Sequence, residues 1–178
     1  MTYFEALELP EKLKLDPKDL ETRFYSLSRK WHPDRFARAG AAEQLEALDT
    51  SAVLNDAYRT LRDPVKRLDY FLSLKGFTSG DSSKVPPELL EEVFELNMAL
   101  EELRTGDTDV VPQLRQAQGK FRGMLEVIDG RIEALFSGWD ESADSAVLND
   151  LRALQLERNY VRNLVQNTEQ ALEQYVSD

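Results

Sequence analysis

Residues 20–36 read Leu-Glu-Thr-Arg-Phe-Tyr-Ser-Leu-Ser-Arg-Lys-Trp-His-Pro-Asp-Arg-Phe. Leu20, Phe24, Leu27 and Trp31 recur at steps of four, three and four, which places them on one apolar stripe of an α-helix. Pro33 has no N–H and pushes His32 away from helical angles, so the helix must stop near this point. The break sets His32 and Asp34 on a corner, either side of a rigid ring, with Lys30, Arg35 and Arg38 close by in the chain. A second helical pattern resumes near Ala42. The stretch therefore predicts two packed helices joined by a charged His-Pro-Asp turn.

Upstream, Tyr3-Phe4-Glu5-Ala6-Leu7 predicts a short helix whose aromatics enter the core, ended by Leu9-Pro10. Asp16-Pro17 starts the next helix, because Asp16 can cap free N–H groups and Pro17 fits the first turn. Downstream, residues 42–62 predict a third helix with Leu48, Ser51, Leu54, Tyr58 and Leu61 inward and Ala57 allowing close approach. Asp63-Pro64 repeats the cap-then-proline start and opens a fourth helix through Leu68, Phe71, Leu72 and Leu74, with Gly76 as its terminator. Residues 77–87 are turn formers and small polar residues, and a linker is expected there between domains at 1–76 and 88–178.

Three longer helical patterns follow, over about 87–104, 109–136 and 143–176. Val110, Leu114, Ala117, Phe121, Met124, Ile128, Ile132 and Leu135 are the inward set of the second. Leu148, Leu151, Leu154, Val161, Val165, Thr168, Leu172 and Tyr175 are that of the third. No strand-like alternation appears, so the fold class is all-α, and short connections predict a C-terminal three-helix bundle. The first of these helices carries two stripes. Leu89, Val93, Leu96, Leu100 and Leu103 share one; Leu90, Phe94 and Met98 form another, about 140° away on a helical wheel. One stripe suffices for packing, so the other is either covered by a neighbouring helix or exposed as a binding patch.

The composition narrows the function. Among 178 residues there is no cysteine and one histidine, which excludes disulfides and thiolate-held zinc or iron–sulfur clusters and argues against an internal transition-metal site. No cofactor is expected. No apolar run reaches the roughly 18 residues of a membrane span, and no basic-then-apolar leader precedes the first amphipathic stretch, so a cytoplasmic protein is expected. Residues 1–76 hold 13 Lys+Arg and 13 Asp+Glu; the remainder holds 9 and 20, and hence all of the net −11. An acidic half of this kind opposes binding to nucleic acid or anionic lipid. His32 with Asp34 could be read as an acid–base pair, but no serine or cysteine nucleophile motif and no second histidine accompany it, so no enzyme is expected.

The corner and its surroundings resemble a J domain. The resemblance is carried by Asp16-Pro-x-x-Leu20, by Phe24-x-x-Leu27-Ser28-Arg29-x-Trp31-His32-Pro33-Asp34-Arg35-Phe36, and by Leu54-Asn55-x-Ala57-Tyr58-x-x-Leu61-x-x-Pro64-x-x-Arg67-x-x-Tyr70. Tyr3-Phe4, the run Ser51-Ala52-x-Leu54-Asn55-x-Ala57-Tyr58, the segment Tyr70-x-Leu72-Ser73-Leu74-x-Gly76 and the three-helix C-terminal half are similar to the HscB type, the J-type co-chaperones of iron–sulfur cluster biogenesis.

That resemblance implies an L-shaped, two-domain co-chaperone. Its His-Pro-Asp loop would dock on a DnaK/HscA-type chaperone and couple client arrival to ATP hydrolysis, through His32, Pro33 and Asp34 with the basic Arg23, Arg29, Lys30 and Arg35. Its C-terminal half would hold an iron–sulfur scaffold protein of the IscU type. Leu90, Phe94 and Glu95 occupy places corresponding to the family's Leu-Met-Glu-x-x-Glu-like segment, with Met98 on the same stripe and Tyr160 where the family has a Phe or Tyr. Glu91 stands where the family often has an apolar residue, and Asn97-Met98 replaces a common Arg-Glu pair. A J-domain adaptor for another client and a helical nucleic-acid-binding regulator are the alternatives.

Overall fold

The computed structural model describes residues 1–77 and 84–177. Its α-helices are α1 (Tyr3–Ala6), α2 (Pro17–Lys30), α3 (Ala41–Leu61), α4 (Pro64–Leu74), α5 (Leu90–Arg104), α6 (Val111–Ser142) and α7 (Ser145–Ser177). Short 3-10 turns occupy Pro33–Phe36, Pro87–Leu89 and Thr108–Val110, and no strand occurs among the described residues. The expected linker over 77–87 lies partly outside the described residues. Two compact units form: Met1–Thr78 with Phe136–Ala143, and Ser79–Leu135 with Asp144–Asp178.

In the first unit the predicted caps close the helices. Asp16 accepts from the Lys18 amide at 2.8 Å, and Asp63 from those of Val65 and Lys66 at 2.9 and 3.2 Å. α4 ends in a Schellman motif, with Gly76 at φ +84°, its amide on the Ser73 carbonyl and the Phe77 amide on that of Leu72. Phe4, Leu7, Leu13, Leu20, Leu54, Leu61, Leu68, Phe71 and Leu72 are almost wholly buried and form one core. Tyr3 stacks on Tyr70 at 4.5 Å and donates its amide to the Tyr70 hydroxyl oxygen, which pins α1 onto α4.

Two expectations need correction here. Leu48 does not point inward; it is 56 % exposed, and Ala47 is buried instead. Ala47, Leu54 and Leu61 lie seven apart, so the stripe phase that packs begins on the small residue, which lets α3 approach its neighbours. Helix α6 also continues past residue 136 to Ser142. Ser137-Gly138-Trp139 has the composition of a loop, yet tertiary packing holds it helical. Phe136 is buried beneath the Arg67 guanidinium, 5.5 Å from its ring centroid, and Trp139 meets Phe71 edge-on at 5.8 Å. Asp140 accepts from the amides of Leu13 and Lys14, both at 2.8 Å.

The second unit has α5, α6 and α7 around Leu89, Val93, Leu96, Leu114, Phe121, Ile128, Ile132, Leu151, Val161 and Val165. Ion pairs tie the helices at the surface: Lys120 to Glu92, Arg122 to Glu169 and Arg158 to Asp129. Gly106, at φ +101°, ends α5 with a second Schellman motif. Tyr175, expected inward, is exposed near the end of α7, where the bundle offers less to pack against.

Candidate chaperone-docking corner and client face

The His-Pro-Asp corner is built by its neighbours. α2 ends at Lys30, and His32 caps the 3-10 turn Pro33–Phe36 in extended geometry at φ −64°, ψ 127°. Its Nδ1 accepts from the Asp34 amide at 3.3 Å. A nitrogen that accepts this bond carries no proton, so the bond selects the tautomer protonated at Nε2 and leaves that N–H as a donor. The Asp34 carboxylate, 3.6 Å from Nδ1, is 92 % exposed and points into water.

Two devices hold the corner stiff. Trp31 and Phe36 stack at 5.8 Å with their planes 8° apart, clamping the turn from both flanks. On the far side, Gln44 of α3 donates from Nε2 to the Ala39 carbonyl at 2.9 Å and to that of Ala37 at 3.4 Å. The stacked pair was legible as two aromatics either side of the tripeptide. Gln44 carries no comparable signal, since an exposed glutamine on a helix looks like any solvated position.

The basic residues divide by environment. Arg29 and Lys30 are exposed at the end of α2, with the Lys30 ammonium 5.8 Å from the Trp31 ring centroid. Arg35 donates to the Arg29 carbonyl at 3.4 Å and so ties the turn back to α2. Arg23 pairs with Asp19 at 3.0 Å and donates to the Glu8 carbonyl, where the backbone is left-handed at φ 54°. Its role in the structure is to fasten the chain after α1 onto α2.

In the second unit, Leu90, Phe94 and Met98 are 57 %, 65 % and 50 % exposed, while Val93, Leu96 and Ala99 of the same helix are buried. The second stripe of α5 is therefore open to solvent. Glu95 is exposed beside it. Tyr160 lies on α7, which packs on α5; it is partly buried, and burial raises its phenol above the ordinary value of 10.0. Glu92, on the flank of α5, is held below the ordinary 4.5 by its hydrogen bond from Lys120. Among the described residues there is no group of three His, Asp or Glu that would hold a metal ion, and no helix is long and apolar enough to cross a membrane.

Residues 2–70 match the DnaJ domain family. A helical hairpin with a His-Pro-Asp corner and that family match define a J-domain protein, whose partner is an Hsp70-type chaperone. The resemblance runs beyond the J domain. The chain is similar to chaperone HscB from Vibrio cholerae, with 28 % identity, 98 % of this chain and 99 % of that one covered, and a TM-score of 0.68. Human co-chaperone protein HscB shares the fold at 20 % identity, with 95 % and 81 % covered and a TM-score of 0.70. The J-domain match and the full-length likeness to HscB together support an HscB-type J-domain co-chaperone of iron–sulfur cluster biogenesis.

Proposed function

We propose that the protein carries an iron–sulfur scaffold protein of the IscU type to a DnaK/HscA-type chaperone in the cytoplasm and stimulates that chaperone's ATPase, performing no catalysis itself. The observation that carries the first half is the Asp34 carboxylate, held in water by a stiff corner. Such a group forms a charge-assisted bond to a partner arginine with little loss of freedom. His32, Pro33 and Asp34 make the contact within 1–76. Arg29 and Lys30 supply attraction toward an acidic chaperone surface, which weakens as salt shortens the Debye length below about 10 Å. Arg35 and Arg23 act mainly by holding the turn and α2 in place.

The client face lies within 88–178. Leu90, Phe94 and Met98 provide apolar area and Glu95 a charged edge, with Tyr160 contributing from α7. Three large apolar side chains on one exposed helix face are the kind of surface a partner covers. With no cysteine, the chain escorts a cluster-bearing scaffold without ligating the cluster through thiolates.

The experiment is the steady-state ATPase rate of the chaperone with this protein alone, with the scaffold alone, and with both. A combined rate well above the sum of the separate effects supports both faces. Stimulation that ignores the scaffold keeps the corner and assigns the stripe to another client. No stimulation removes the corner from the mechanism.

A further inference from the structure

A second group of cations lies at the other end of α3. Asn55, Tyr58, Arg59 and Arg62 follow at i, i+3, i+4 and i+7, so they share one face. The turn into α4 brings Asp63 and Lys66 to the same side, and these six residues line one concavity.

The lining is electrostatically lopsided. Neither Arg62 nor Lys66 has an ion pair among the described residues, and Arg59 has only an exposed 3.9 Å contact with Asp56. Asp63, the one acid in the lining, uses Oδ1 to accept from the Val65 and Lys66 amides as the cap of α4. One of these cations, Arg62, is also ordered from below. Tyr58 stacks on Phe24 at 4.2 Å with planes 7° apart, and the Arg62 guanidinium carbon lies 5.7 Å from the centroid of that fixed ring. A guanidinium already held over an aromatic face loses less freedom when it binds.

We propose that this corner of α3 and α4 is a second protein-docking site, which takes a short Asp- and Glu-rich segment of a partner. Carboxylates match the planar guanidinium fork, and two arginines with one lysine line the concavity. A polynucleotide is the poorer fit. The chain carries net −11, and three cations displace few counterions. The site is separate from the His-Pro-Asp corner. Gln44, which fastens that corner, precedes Arg59 on α3 by 15 residues, roughly 22 Å at helical rise. That exceeds twice the Debye length of about 8 Å at physiological salt.

The test uses the full chain, labelled with 15N, and a fluorescein-tagged hexaglutamate peptide at low salt. The expected result is amide shifts centred on residues 55–66. Affinity should fall about tenfold in Arg62→Gln with Lys66→Gln, the combined effect of two exposed charge contacts, and stay within about twofold in Arg29→Gln with Lys30→Gln. All four positions are exposed, so both pairs should retain the native circular dichroism. Shifts centred on residues 29–36, equal losses in both pairs, or no saturable binding would overturn the proposal. So would a single-stranded oligonucleotide or inorganic phosphate that competes as well as the peptide at matched charge.

Discussion

Replacing Asp140 by alanine should weaken the J-domain unit well beyond what a single surface carboxylate contributes. Its two oxygens each accept from a different backbone amide, Leu13 and Lys14, at 2.8 Å. Hydrogen bonds to a charged group contribute about 1.5–3 kcal/mol each. Leu13 is fully buried, and its amide would be left without that acceptor; this bond therefore falls within that range. The Lys14 amide is exposed, water can replace the carboxylate there, and its share is about 0.5–1 kcal/mol. The sum is about 2–4 kcal/mol, near one-third of the stability of a typical domain. Asp140→Asn keeps one carbonyl oxygen and should lose about half as much. Trp139, edge-on to Phe71, reports on the same unit, and Trp31→Phe leaves it as the single tryptophan. With a urea m-value of about 2 kcal/mol/M, the alanine variant should unfold about 1–2 M earlier by Trp139 fluorescence. A midpoint shift below about 0.3 M would refute the reasoning, because it would mean that residues 136–143 rest on this unit without stabilising it.

Four further outcomes are expected. Asp34→Asn removes an exposed charge, so the melting temperature should hold while stimulation of the chaperone ATPase falls about ten- to hundredfold, the equivalent of one charge-assisted bond; His32→Gln should likewise lose stimulation while remaining folded. Leu90→Ala with Phe94→Ala should cost less than about 1 kcal/mol of folding, against 2–5 for each buried site, yet weaken scaffold binding about 30-fold or more; a sharply lowered melting point would place the stripe in the core. Because burial raises Tyr160, the native state holds its phenolic proton more tightly than the unfolded state does, so stability should decline as pH rises past 10.0, and melts of Tyr160→Phe between pH 9 and 11 should show a shallower decline.

Much of this was legible because local rules and global packing agree. Asp16-Pro17 and Asp63-Pro64 are starts that any backbone with those angles would favour, and Gly76 and Gly106 take the left-handed angles that Schellman motifs require. The exceptions are places where a long-range contact decides. Nothing local marks residues 137–142 as helical; the buried Phe136 ring, the Trp139 edge and the Asp140 bonds to Leu13 and Lys14 do. Hydrophobicity alone prefers Leu48 to Ala47 as a core residue, whereas close approach of α3 selects the smaller one. Arg23 and Arg35 read as docking cations because the sequence shows charge, and the carbonyls of Glu8 and Arg29 that engage them are visible only in three dimensions.

The two faces of α5 show why function was harder to place than fold. Both stripes are apolar and both have helical spacing, so periodicity ranks them equally. The bundle breaks the tie by burying Val93, Leu96 and Ala99, which leaves Leu90, Phe94 and Met98 facing water. Exposed apolar area gives a partner an attraction that salt scarcely alters. The His-Pro-Asp corner works the other way, with a carboxylate and two cations on a stiff turn and little apolar surface, an attraction that salt does weaken. A co-chaperone that must hold a client while it engages and then releases a chaperone benefits from that contrast. On the proposed function, the contact that has to turn over would rest on charge, and the contact that has to persist would rest on area.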